Sequence, residues 1–239
     1  MIMRNLKILL SSLLLVVIAT SCTYAQKQTI TNKTYPIKSF TSVESDIIGN
    51  ITYTQSNNVS VRAEGDKELI DKLRISEKND VLKIEYTEKM NTKNKQKLSI
   101  YISSPTISEI DTEGVGNWVM KGKVKTNNLA IEFDGVGNFE ALELQSNNIK
   151  VDYEGVGNLT LGGTTDFVEI KSEGVGSINC QDLLAKKAVI RSSGVGSVKC
   201  YASESVDLIN SGVGSINYYG NPTTKNMNNS GIGKIKAGK

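Results

Sequence analysis

Ser211-Gly212-Val213-Gly214-Ser215-Ile216 states a phrase that recurs along about half of the chain. Gly-Val-Gly begins at Gly114, Gly135, Gly155, Gly174, Gly194 and Gly212, and Gly231-Ile232-Gly233 closes the series. The second glycines are Gly116, Gly137, Gly157, Gly176, Gly196, Gly214 and Gly233. Successive first glycines lie 21, 20, 19, 20, 18 and 19 residues apart, the period of a chain built from stacked copies of one small unit.

Aligned on the first glycine, apolar residues fall at even offsets. Four before it stand Ile110, Ile131, Val151, Ile170, Ile190, Leu208 and Met227; six before it, in the middle copies, stand Leu129, Ile149, Val168, Ala188 and Val206. Four after it stand Trp118, Phe139, Leu159, Ile178, Val198, Ile216 and Ile235, with Met120, Ala141, Leu161, Cys180, Cys200, Tyr218 and Ala237 two further on. Residues between them are mostly polar, as at Glu132, Asp152, Lys171 and Arg191. A period of two means β-strand with one face buried. Each unit is therefore two short strands hinged at the glycine phrase, with a less regular third side on which Val124, Leu144 and Leu184 are expected to point inward.

Identical corners stacked over one another leave little room for side chains and need backbone conformations that a Cβ bars, which accounts for the glycines. Asn127-Asn128 and Asn147-Asn148 are expected to turn the next corner, because Asn tolerates left-handed geometry. The expected fold is all-β, a right-handed parallel β-helix (solenoid) of ~20-residue coils. A propeller would need blades of about 40 residues. At ~4.8 Å per coil, the six steps between motifs span roughly 30 Å.

Residues 26–110 read as diverged coils and a cap, continuous with the seven-repeat segment 111–239 as one domain. Gly49-Asn50 overlays Gly116-Asn117, Ile51 overlays Trp118 and Tyr53 overlays Met120. Val59 to Ala63, Arg74 to Glu77 and Val81 to Tyr86 read as strands. Asn79-Asp80 reads as a turn, and Asp66 to Lys72 as a helical turn with Asp66 as N-cap. Leu98 to Ile102 leads into the first repeat. Lys234, Lys236 and Lys239 charge the last strand, as edge protection would require.

Arg4 and Lys7 precede an apolar stretch from Ile8 to Ala19 and then small residues, the pattern of a secretory signal peptide over residues 1–25. Two cleavage readings stand: after Ala25, or after Ser21 with Cys22 becoming a lipid-acylated N-terminus. Either way the mature chain is expected to be exported from a Gram-negative cell, to the periplasm, outer membrane or surface, touching membrane only through an anchor at Cys22. The net charge of +3 is spread along the chain, giving no argument for nucleic acid. Lys93, Lys95 and Lys97 read as a solvated stretch, with an anionic glycan or lipid headgroup as the alternative contact. The chain has no histidine, which removes Ser-His-Asp and Cys-His catalysis and the commonest transition-metal ligand.

Ser211 to Ile216, followed by Tyr218-Tyr219-Gly220-Asn221-Pro222 and Ser230-Gly231-Ile232-Gly233-Lys234-Ile235, closely resembles the bacterial envelope family described as putative auto-transporter adhesin, head GIN domain. The resemblance runs from about Phe40 to Lys236. It implies an exported β-helical protein, lipoprotein or freely secreted, and supplies no catalytic residues. No translocator barrel follows the repeats, so self-export is not expected.

Glu113, Asp134, Glu154 and Glu173 precede the glycines, giving way to Ser193, Ser211 and Ser230; Asn117, Asn138 and Asn158 follow, giving way to Ser177, Ser197 and Ser215. Stacked, these become ladders. Carboxylates about 5 Å apart repel by roughly 1 kcal/mol per pair in water, a strain that Ca²⁺ would relieve. The chain lacks the Gly-Gly-x-Gly-x-Asp calcium repeat, and the expectation is a solvated acidic face with no metal and no cofactor. The asparagines are expected to hold register by stacked amide bonds. Cys180 and Cys200 occupy equivalent positions of adjacent coils, as buried free thiols or as a strained disulfide. The expected function is a non-enzymatic envelope solenoid, adhesin-like or scaffolding, monomeric or weakly associating, with an envelope protein or glycan as partner. The alternative is a polysaccharide lyase or hydrolase on a β-helix, which would need a cleft walled by long loops.

Overall fold

Even-offset apolar residues around each glycine phrase line the inside of a coil, and the coils stack into a β-solenoid of about six turns. The computed structural model describes residues 30–88 and 97–238. The leader 1–25 with Cys22, and Lys93, Lys95 and Lys239, lie outside the described residues. The elements are β1 (Ile30–Tyr35), β2 (Ser42–Ile48), β3 (Asn50–Gln55), β4 (Ser60–Asp66), α1 (Lys67–Lys72), β5 (Leu73–Lys78), β6 (Val81–Tyr86) and β7 (Leu98–Ser104), then β8 (Glu109–Val115), β9 (Trp118–Tyr153), β10 (Val156–Ser172), β11 (Val175–Ser192), β12 (Val198–Asn210), β13 (Ile216–Tyr219), β14 (Thr224–Asn229) and β15 (Ile235–Ala237).

From β8 onward, successive coils pair in parallel with like residues over like: Gly137 on Gly157 on Gly176, Phe139 on Leu159 on Ile178, and Val151 on Ile170 on Ile190. The inward columns are almost solvent-free. Trp118 stacks on Phe139 and Phe133 on Tyr153, with ring centroids 5.9 and 5.5 Å apart. Each buried Ile, Leu or Phe contributes about 1.5–3 kcal/mol of burial, and repetition of that column from coil to coil holds the rod together.

Residues 42–55 form a coil in register with the repeats, Val43 on Ile110, Ile51 on Trp118 and Tyr53 on Met120. The layers beyond it are out of chain order. β6 stacks in parallel on the outer side of β2 and β7 on the outer side of β3, so the chain passes from β7 across the first coil to β8. Antiparallel strands then close the end: β5 on β6, β4 on β7 and β1 on β4. The cap is thus partly antiparallel.

Several local expectations are corrected. Leu184 is 51% exposed while Leu183 is buried, because the register shifts between Cys180 and Leu184 and Leu183 takes the slot of Gly163 and Leu144. Val124 and Leu144 do point inward. Met227 and Ala237 are exposed, since among the described residues no further coil covers them. Asn127, Asn128, Asn147 and Asn148 turn their corner without positive φ. Instead the Asn148 amide donates to Asn128 Oδ1 at 2.9 Å, and Ser146 and Thr165 donate to the Asn127 and Asn147 carbonyls. Positive φ occurs at the Asn79-Asp80 turn. Asp66 stands at the N-cap of α1 but its side chain makes no cap bond; Oδ2 accepts the Lys97 N–H at 2.6 Å, tying β4 to the start of β7.

At the repeated corner, Gly176 has φ 149°, and a Cβ there would drive into the carbonyl oxygen of Gly157 below. Gly157 stands in the same relation to Gly137. Replacing Gly176 with Ala is expected to cost about 3 kcal/mol or more through backbone strain and overlap. Thermal melting would show this as a drop of roughly 6–12 °C, whereas exposed Val175→Ala should leave the midpoint nearly unchanged.

Cys180 lies beside Cys200 in adjacent coils, and both are buried free thiols. Burial pushes Cys200 up to about 12 and Cys180 also upward, with the neighbouring Cys200 adding to the latter. Neither should react with a thiol reagent at pH 8 in the native protein. In a Cys22→Ser chain, both should titrate on denaturation without reductant.

Candidate functional site

Strand alternation places every second residue of the glycine corner outward, and in-register stacking turns each such position into a column. The column before the glycines runs Asp46, Glu113, Asp134 in direct register, with Glu154 and Glu173 in the following coils. The column after them is held by side-chain amides. Asn50 Oδ1 accepts from Asn117, Asn117 from Asn138 and Asn138 from Asn158, each time from both main-chain N–H and side-chain NH₂ at 3.0–3.3 Å. Asn158 Oδ1 passes the ladder to the Ser177 N–H. Asn50 is the rung added by the N-terminal coil.

Between these columns stands the middle residue of each phrase. Ile48, Val115, Val136, Val156, Val175, Val195, Val213 and Ile232 pair in one continuous series. The valines are 47–51% exposed and Ile232 is 73% exposed. The corner is therefore a ridge with an apolar crest, carboxylates on one flank and amides on the other. The glycines that demand the corner sit at inward positions on either side of every crest residue except Ile48, which follows Ile47.

Polar residues brace the ridge from within. Tyr153 Oη donates to the Gly157 carbonyl at 2.8 Å, Asn210 Nδ2 to Gly214 at 3.2 Å and Asn229 Nδ2 to Gly233 at 3.0 Å. All three stand two residues before a first glycine and bond the carbonyl of the second glycine of the same coil. In the N-terminal coils the equivalent Ser45 and Thr112 hydroxyls bond each other at 2.9 Å.

The family model described as putative auto-transporter adhesin, head GIN domain, matches residues 39–222. The chain belongs to this family. A crystal structure of a putative adhesin from Bacteroides fragilis is 34% identical and superposes with a TM-score of 0.85, over 87% of this chain and 97% of that one. A putative lipid binding protein and a putative adhesin, both from Parabacteroides distasonis, share the fold at 22% and 17% identity. Their TM-scores are 0.66 and 0.65, over 87% of this chain and 96% and 98% of theirs. No curated protein matches.

In this GIN domain the acidic face is twice as wide as the glycine phrase alone indicates. A second outward column, Glu44, Asp111, Glu132, runs beside the first, and Asp152 continues it before Lys171 replaces it. Lys171 closes the array, with Nζ 3.0 Å from Glu173, 3.7 Å from Glu154 and 3.8 Å from Asp152. These residues fall at offsets where acidic residues alternate with buried ones, a signal visible once two columns are aligned rather than one. Among the described residues no three acidic or thiol side chains converge on a point that could hold a metal ion.

Within the face, Asp111 stands out. Partial burial raises its carboxyl above the ordinary value, and Glu132, Glu113, Glu44 and Glu109 raise it further. Between the ordinary and the raised value the native state binds more protons than the unfolded chain, so stability rises as pH falls through the folded value and levels off below the unfolded one. Asp111→Asn should raise the melting temperature at neutral pH and flatten that part of the stability profile. Melts of both proteins at closely spaced pH values check this.

Proposed function

We propose that this GIN domain is an exported, non-enzymatic envelope protein that binds through its surface, as an adhesin-like or scaffolding element facing an envelope protein or a glycan. The observation that carries the reading is the crest: eight β-branched side chains in one line, seven of them exposed, on a scaffold whose other aliphatic columns are buried. Contiguous exposed apolar surface rimmed by polar groups marks interaction sites in soluble domains. The flanking ladders suit a repetitive partner, because successive rungs present the same chemistry at ~4.8 Å intervals. The relative from Bacteroides fragilis, itself named as a putative adhesin, supports the same reading. So does the leader-like N-terminus, where Cys22 would supply the only membrane attachment.

Pull-down from envelope extract tests the proposal. Val156→Asp with Val175→Asp should lose the captured partner while melting within about 1 kcal/mol of the parent, since both sites are half exposed. Charge reversal of Glu113, Asp134, Glu154 and Glu173 should weaken capture and invert its salt dependence. Equal capture by all three proteins would sink the reading. Release of reducing ends from a polysaccharide panel would instead support the glycan-cleaving alternative.

A further inference from the structure

At the second corner of the coil the surface is concave. A groove of about 390 Å³ runs along the rod axis across four coils. One wall is the column Gln145, Thr164, Leu184, Tyr201, each in register with the next; the other carries Asp166 and Lys186. The register shift that turns Leu183 inward is what leaves Leu184 outward on this wall, 51% exposed beside Tyr201. We infer that this groove binds a neutral linear oligosaccharide lying along the rod. The inference deepens the surface-binding reading above and rests on it for the class of partner, but places the contact on a different corner from the crest.

Five features select that ligand. The volume lies within the roughly 300–1,000 Å³ of ligand sites. Leu184 and Tyr201, adjacent in register and both lining the groove, offer apolar surface that the C–H face of a sugar ring can cover, while Gln145 and Thr164 next to them offer both donors and acceptors for ring hydroxyls. Asp166 and Lys186 pair with each other at 2.7 Å, so the groove has no net charge to attract an acidic or basic polymer. The main-chain groups of the floor are engaged by the coils on either side, and the floor hydroxyl of Thr165 donates to Asn147 and Phe167 carbonyls. An extended peptide would find no open strand edge to join. Rungs ~4.8 Å apart match the length of one sugar residue, so successive rungs face successive rings.

Titration calorimetry of the purified chain with neutral hexasaccharides of glucose, mannose and xylose tests this, beside a uronic acid hexasaccharide and a pool of extended peptides. At least one neutral hexasaccharide should bind. Tyr201→Ala should weaken it about tenfold or more, and Thr164→Arg, at an exposed wall position, should block the groove, with both variants melting like the parent. Val156→Asp with Val175→Asp should bind the sugar unchanged, which separates failure of the groove from failure of the crest. Binding of none of the neutral sugars overturns the inference. So does binding of only the uronic acid or peptide probes, or sugar binding that survives both groove substitutions.

Discussion

Close approach of one main chain to the next at the glycine corner governs the rest of the rod. The carbonyl of each second glycine sits where a Cβ of the next would have to be, so neighbouring coils reach full ladder contact there only if both residues lack side chains. Once that column is glycine, the strands on either side lock like over like, and the inward residues have no choice of partner. A one-residue slip would bring a side chain into the glycine column and turn every apolar residue outward. The same geometry dictates the exposure of the valines. Each stands at an outward position between two inward glycines, and a β-branched side chain there keeps the short link between corners extended.

The period, the inward columns and the stacking of Asn on Asn were legible because alternation survives unchanged through every copy. Even the overlay of Gly49-Asn50 on Gly116-Asn117 could be read, since the glycine and amide positions repeat there without the valine. What escaped has a common cause. Counting offsets puts Leu184 inward, and a register shift invisible to counting moves that role to Leu183. Residue type suggests left-handed backbone for the asparagines of the second corner, yet the corner is made by hydroxyl and amide bonds between coils. The order of the cap layers could not be read at all. Nothing in Val59 to Tyr86 distinguishes a strand added above the first coil from one added below it.

The candidate surfaces divide along the same line. Glu113, Asp134, Glu154 and Glu173 were visible as a column because they abut the repeated phrase. Glu44, Asp111, Glu132 and Asp152 form its twin and lie only two residues further out. Lys171 then ends both, which confines the acidic face to the N-terminal half. Beyond it, serines and the Arg191–Asp207 pair at 3.8 Å take over. The rod therefore has two chemically different halves on one uninterrupted core.

The cap's reversed layering also bears on how such a chain acquires its structure. Residues 30–104 supply the closed end, with strands drawn back beneath the first coil, so the repeats meet a terminus built from chain that precedes them. Every later coil then needs to close a loop of only about twenty residues onto a surface that already exists, a short and nearly constant entropic step. Each rung is thus a template on which its neighbour can form.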